Sequence, residues 1–309
     1  MFQKANLLFL YTETPLHVGS GSSLGTVDLP IQRERHTKLP MVQGSGIKGK
    51  LRSVFEPDGN ESPISKAIFG PQKDGSEHAG ALSVGDARIL LFPVRALAGV
   101  FAWVTCPLVI NRLARDLQMT GQTTSWNLLD LKVSEQQAYI PNNGTVKIGN
   151  DVVLEEFSFT AQDSNPEVQK FVDWLSGNVL PSGAEYKFWR DKIKQDLVII
   201  SDEAFKDFCQ FSTDVVSRTA LNPLTKTVDK EKGALWTEEN LPSDTLLYAP
   251  LFASDPRMKS EDKLKKKNVP EDATEILSLV STHLQNGHSR LQLGGNETVG
   301  RGLVATRFL

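Results

Sequence analysis

Along the chain, short apolar runs alternate with longer amphipathic stretches, and the two spacings predict strands and helices in turn. Residues 7–11, Leu-Leu-Phe-Leu-Tyr, predict an opening strand. From 45 to 55, Ile47, Leu51, Val54 and Phe55 share one helical face, with Ser45 as cap and Pro57, Asp58 and Gly59 as stop. Strands interrupted at Gly85 follow over 81–94, then a helix over 108–118 that aligns Ile110, Leu113 and Leu117. No period dominates between 120 and 150. Asn165-Pro166 opens a helix carrying Val168, Phe171, Val172 and Leu175. A helical run at 184–195, a strand at 197–200 and a helix capped by Asp202 come next. Residues 215–221 and 234–238 flank a polar tip, 222–233, and predict a hairpin. A strand at 246–252, a charged loop at 254–272 read as mobile, a helix over 272–284 and strands at 291–293 and 303–308 close the chain. The order permits a β-α-β-β-α-β ferredoxin-like core with large insertions, an α+β fold.

Two stretches fit neither period. Residues 14–40 hold Gly19, Gly21, Gly25, several serines and prolines. A connection that long, well beyond ~15 residues, tends to carry function. Residues 294–302 hold Gly294, Gly295, Gly300 and Gly302 between two strands. A hairpin needs only ~2–5 loop residues, and this much glycine admits close backbone approach by a ligand; a plain flexible turn is the alternative.

Composition narrows the field. Hydrophobic residues at 39% and charged residues at 23% of 309 are ordinary for a globular protein. Thirty-four basic against 37 acidic residues leave a net charge of −3, which excludes a uniformly basic coat, so any nucleic-acid site is a local patch. Cys106 and Cys209 are the only cysteines; they form neither a zinc spacing nor a disulfide scaffold and point to a reducing, cytoplasmic setting. The uncharged run 96–111 is shorter than the ~20 residues a membrane span needs, and no signal peptide is evident.

Several motifs fail on inspection. Gly44-Ser45-Gly46-Ile47-Lys48-Gly49-Lys50 looks like a phosphate-binding loop, but Leu51 stands where a hydroxyl must hold magnesium. Gly21-Ser22-Ser23-Leu24-Gly25 lacks the flanking strand and helix of a nucleophile elbow. His283 and His288 lack the glutamate partner of a zinc protease. What survives is His17 with Asp28 on one glycine-rich loop, suited to acid–base or metal chemistry or merely to local hydrogen bonding. The 45–52 helix also survives. Its first amides, Ser45, Lys48, Lys50 and Arg52 can face a phosphate chain or form an ordinary solvated face.

Together, Leu8-Phe9-Leu10, Thr14 to Gly21, Asp28 to Glu34, Gly44-Ser45 with Lys48-Gly49 and Leu51-Arg52, and Leu293 to Gly302 resemble the RAMP superfamily of CRISPR RNA-binding proteins. Within it they resemble the repeated backbone subunit of the type III-B effector complex. The resemblance implies one module, 1–309. Its RRM-like palm comes from the N- and C-terminal segments, with a helical insertion at about 105–212 and a β-hairpin thumb at about 214–240 bearing Asn222, Lys226 and Trp236. It implies copies of the chain stacked along a crRNA, held by Ser45, Lys48, Lys50, Arg52, Gly294, Gly295, Gly300, Arg301 and Gly302. It implies cleavage of complementary target RNA with a divalent metal, Mg2+ or Mn2+. Asp28 would be the catalytic carboxylate and metal ligand, with His17 beside it in the active-site loop. The implied protein partners are other copies, the small helical subunit, the large polymerase-like subunit and other RAMP subunits. A non-catalytic crRNA scaffold and a stand-alone guide-processing endoribonuclease stay open. RNA brings its own 2′-hydroxyl nucleophile, so a protein need only align the phosphate, activate that hydroxyl and stabilise developing charge.

Overall fold

The computed structural model describes residues 2–73, 77–220, 224–225, 227–228, 235–258, 269–285 and 289–309. In chain order the elements are β1 (Lys4–Thr12), β2 (Met41–Val42), α1 (Gly44–Phe55), α2 (Pro63–Phe69), β3 (Leu82–Val84), β4 (Ala87–Arg95), β5 (Phe101–Thr105) and α3 (Pro107–Met119). Next come β6 (Gln137–Tyr139), β7 (Lys147–Ile148), β8 (Asp151–Leu154), β9 (Phe157–Gln162), α4 (Pro166–Asn178), α5 (Lys187–Asp196), β10 (Leu197–Ile199) and α6 (Asp202–Phe211). The chain ends with β11 (Asp214–Arg218), β12 (Trp236–Asn240), β13 (Leu246–Ala253), α7 (Ala273–Gln285), β14 (Arg290–Gln292) and β15 (Leu303–Phe308).

The palm is the antiparallel run β15-β1-β13-β4. Its strands are the fourth, first, third and second of a β-α-β-β-α-β unit, with α1 after the first strand and α7 before the last. Leu8 faces Ala249 on one side and Phe308 on the other. Leu7, Leu8, Phe9 and Leu10 are all fully buried although successive side chains point to opposite faces. Both faces are covered there, by α7 against β1 and β13 and by α3 against β1 and β4. That is why the strand reads as a continuous apolar run rather than an alternating one.

The segment 105–212, expected to be helical, is mixed. It holds α3 to α6, but also β6 to β10, which join β5 and extend the palm sheet as β4-β5-β10-β6-β9-β8-β7. Most of these strands have only two to four residues, too short to show a period in sequence. The described sheet ends at β14, three residues long, and at β7, two residues long. The hairpin strands β11 and β12 form a separate pair, with Val215 opposite Glu239. Asn222 and Lys226 lie outside the described residues, as do 259–268 of the charged loop.

Two helix starts differ from the sequence expectation. Ser45 does not cap α1; Asp86 Oδ1 accepts from the Gly44 N–H at 2.8 Å from across the fold. Ser201, not Asp202, caps α6 by accepting from the Ala204 N–H at 3.2 Å. At α4 the Asn165 side chain accepts from the Glu167 N–H at 3.0 Å. Among the described residues no helix is long and apolar enough to cross a membrane.

Candidate nucleic-acid interface

The long 14–40 loop is ordered because it has an edge to lie on. β12 pairs with β11 on one side and with the loop on the other. Leu16 exchanges backbone bonds of 2.9 Å with Leu241, and Leu29 bridges Glu238 in parallel, bonding Thr237 O and Glu239 N at 3.0 Å each. Internally, the Ser20 N–H donates to Pro30 O (3.0 Å), the Gln32 N–H to Val18 O (2.8 Å) and the Ser23 N–H to Asp28 O (2.8 Å). The loop is thus a glycine-rich ribbon folded back on itself, with Asp28 at the base of its tip.

Asp28 is exposed, and Thr237 holds it. Oδ2 accepts from the Thr237 N–H at 2.7 Å and from Thr237 Oγ1 at 2.8 Å, and the Asp28 N–H donates to Thr237 Oγ1 at 3.0 Å. The backbone donor first, then the hydroxyl, hold the Asp28 carboxyl below its ordinary value. Among the described residues no other residue donates to this carboxylate. His17, farther back in the loop, is buried against the same strand β12: its Nδ1 meets Glu239 O at 2.7 Å. No hydrogen bond joins His17 to Asp28; β12 organises both.

The C-terminal glycine loop closes over His17. The Gly295 N–H donates to His17 O at 2.9 Å. A Cβ on Gly294, whose φ is +71°, would lie 2.1 Å from His17 O, and a Cβ on Gly302 would lie 2.0 Å from Leu293 O. These two glycines are demanded by contact as well as by backbone angle. Gly295 and Gly300 are exposed.

Three segments far apart in sequence therefore line one cleft of about 500 Å³: Val18, Gly19 and Gln32 from the loop, Ser45, Gly46, Gly49, Lys50 and Ser53 from α1, and Leu293 and Gly294 from the C-terminal loop. Gly46 and Gly49 have open space where a Cβ would be. Each costs α1 roughly 1 kcal/mol against alanine and leaves bare backbone facing the cleft.

The cations are arranged differently from the sequence expectation. Lys48 is half-buried and donates from Nζ to Leu82 O at 2.9 Å; burial, then Arg52, push its pKa down. Arg52 pairs with Glu56 at 3.1 Å and Glu61 at 2.8 Å. Arg301 turns inward toward buried Glu238, at 3.8 Å, where Arg218 (3.1 Å) and Asn296 Nδ2 (2.9 Å) also converge. Of the expected RNA-facing cations, only Lys50 lines the cleft. Asp86 also commits the Gly44 amide, the first at the helix start. Trp236 is half-buried on β12 opposite Arg218.

Sequence reasoning missed the groups that position the site. Glu239 is buried and accepts from Arg33 Nη2 (2.5 Å), the Ile31 N–H (3.0 Å) and Thr213 Oγ1 (2.9 Å), tying loop to hairpin. Thr237 and Glu238 were equally hidden: Asp28 lies 209 positions from Thr237, and Arg218 and Asn296 lie 20 and 58 positions from Glu238. The one available signal was an acidic pair, Glu238-Glu239, inside a strand.

The RAMP superfamily sequence model matches residues 9–305. The CRISPR system Cmr endoribonuclease Cmr4 of Pyrococcus furiosus is 41% identical over 311 residues, which cover 97% of this chain and 94% of that one. A crystal structure of oligomeric Cmr4 from Pyrococcus furiosus superposes with a TM-score of 0.72 at 33% identity, covering 99% of this chain and 98% of that one. A chain of the type III-B Cmr-beta complex bound to cognate target RNA shares the fold, with a TM-score of 0.71 at 21% identity over 99% of this chain and 98% of that one.

Proposed function

Because this chain belongs to the RAMP superfamily, we propose that it is a guide-RNA-binding backbone subunit of a type III-B CRISPR effector complex and an endoribonuclease that cuts complementary target RNA at Asp28. The relative at 41% identity is an endoribonuclease of the Cmr system, and the Pyrococcus furiosus Cmr4 of known structure is oligomeric. The observation that carries the reading is the convergence of both glycine loops and α1 on one cleft, with Asp28, on the first of those loops, pinned to the hairpin strand.

Such a cleft grips backbone rather than bases. Bare glycine backbone, Ser45, Ser53 and Gln32 can bond sugar and phosphate, while Lys50 supplies the local positive charge. Guide pairing then chooses the target, so the protein need not read sequence. Copies of the chain, the small helical subunit, the large polymerase-like subunit and other RAMP subunits meet the remaining faces, in a cytoplasmic assembly.

Asp28 is ionised at neutral pH and, with its lowered pKa, is a weak proton acceptor. We therefore assign it charge placement and ligation rather than general-base work. Among the described residues no three ligating side chains cluster. An exposed carboxylate held, among the described residues, by Thr237 alone still suits Mg2+ or Mn2+, which take one or two carboxylates and complete their shell with water and substrate phosphate. Bound there, the metal would neutralise phosphate charge and acidify a bound hydroxyl. His17, its Nδ1 held by Glu239 O and its backbone by Gly295, positions the two loops.

The test is Asp28→Asn in a complex reconstituted with crRNA. Cleavage should vanish while guide binding persists; retained cleavage refutes the assignment. An isolated chain that cuts a repeat hairpin in chelator would instead identify a guide-processing enzyme.

A further inference from the structure

We propose that Thr237 is the positioning residue for the cutting carboxylate, so that hairpin strand β12 sets where Asp28 points. The inference rests on the assignment of Asp28 as the cutting group. The contact is reciprocal: Thr237 Oγ1 donates to Asp28 Oδ2 at 2.8 Å and accepts from the Asp28 N–H at 3.0 Å, while the Thr237 N–H gives Oδ2 a second bond at 2.7 Å. One hydroxyl therefore constrains both the side chain and the main chain of Asp28. From the adjoining tip, whose residues 21–26 are all exposed, the bond to Asp28 is that of the Ser23 N–H to its carbonyl (2.8 Å), which leaves the carboxylate to Thr237. The next residue, Leu29, is laced to β12 through Thr237 O and Glu239 N. Any displacement of β12 carries the carboxylate with it. If the hairpin wedges between segments of a guide–target duplex, that linkage places Asp28 by the same movement.

Thr237 does not act on substrate, so it is tested by separating its hydroxyl from its shape. Thr237→Val keeps the branched side chain and the backbone N–H but removes the oxygen; Thr237→Ser keeps the oxygen and removes a methyl. Both are assembled with crRNA and assayed for single-turnover target cleavage and for RNA affinity. Misplacement of a reacting group by ~1 Å can cost ~100-fold. With one of two donors left, Thr237→Val should lower kcat by roughly 10- to 100-fold, leave KM and guide affinity within about twofold, and be rescued by Thr237→Ser. Asp28→Asn runs in parallel. If it still cleaves, the Asp28 assignment fails. If it is dead while Thr237→Val keeps wild-type kcat, the present inference fails. Equal loss in the Val and Ser variants also overturns it, because strand packing would then matter rather than the hydroxyl. If Thr237→Val does not assemble, Thr237→Ala takes its place with the same expectations.

Discussion

Gly302 and Gly300 form a matched pair that isolates how tightly the C-terminal loop is seated. Their φ angles are +75° and +76°, so alanine meets the same backbone penalty at both, about 1–2 kcal/mol. Restricting the unfolded chain returns about 0.4–1 kcal/mol. At Gly300 nothing lies within 4 Å of the new methyl, so Gly300→Ala should cost only about 0.5–1 kcal/mol. At Gly302 the methyl would sit 2.0 Å from Leu293 O, and the two strands of the loop must part. That breaks the Leu293 N–H to Gly302 O bond (2.8 Å) and strains the Gly302 N–H to Pro15 O bond (2.9 Å). At about 1 kcal/mol each, these bring Gly302→Ala to about 3 kcal/mol. Urea unfolding of the free chain, followed by tryptophan fluorescence, compares the two midpoints. Guide affinity should fall with Gly302→Ala and hold with Gly300→Ala. Equal midpoints for the two variants would refute the claim that contact, rather than backbone angle, demands glycine at 302.

Other consequences are as direct. Lys50→Glu should weaken guide binding and flatten the log–log salt slope by about 0.7, whereas Lys48→Gln should leave the slope unchanged because its ammonium is already bonded to Leu82 O; filter binding across salt concentrations decides. Gly46→Ala and Gly49→Ala should each stabilise α1 by about 0.5–1 kcal/mol in urea unfolding, while leucine at either position should fill the cleft and lower guide affinity. Arg52→Gln takes the charge partner from buried Glu56, leaving it Gln72, and should cost about 1.5–3 kcal/mol. Burial raises the Glu56 carboxyl, but Arg52, Ser65 and Gln72 outweigh it and hold the pKa below its ordinary value. The stability this gives is present above the unfolded value of about 4.3 and is lost as pH falls through the lower folded value. The deficit of Arg52→Gln should therefore shrink between about pH 5 and pH 3, and unchanged differences in melting temperature there would count against the pair.

What the sequence made legible was whatever repeats at short range. The palm strands, α1, α3, α4 and α7 announced themselves because each buries a face with a regular spacing. The glycine loops announced themselves by composition. Groups whose meaning depends on a distant partner did not. Asp28 is visible as a loop aspartate, but the hydroxyl that fixes it lies 209 positions away. Ser45 looks like a cap, yet Asp86, 42 positions beyond Gly44, supplies the bond. Lys48, Arg52 and Arg301 look like an RNA-facing set until Leu82, Glu61 and Glu238 arrive to engage them. Of these pairings only Arg52–Glu56, four apart across the end of α1, lies at a spacing that sequence can read. Strands β6 to β8 were lost between 120 and 154 because two- to four-residue segments carry no pattern.

The brevity of β14 and β7 bears on the stacking of copies proposed above. A long bare border invites another polypeptide to add itself by main-chain bonding, and uncontrolled fibres follow. Here, among the described residues, the large sheet's borders offer three residues at one end and two at the other. Growth by that route has almost nothing to grasp. In the stacked assembly proposed above, side-chain surfaces and a shared template would have to arrange the copies, so the nucleic acid, rather than that sheet's own backbone, would be the ruler that counts how many subunits join.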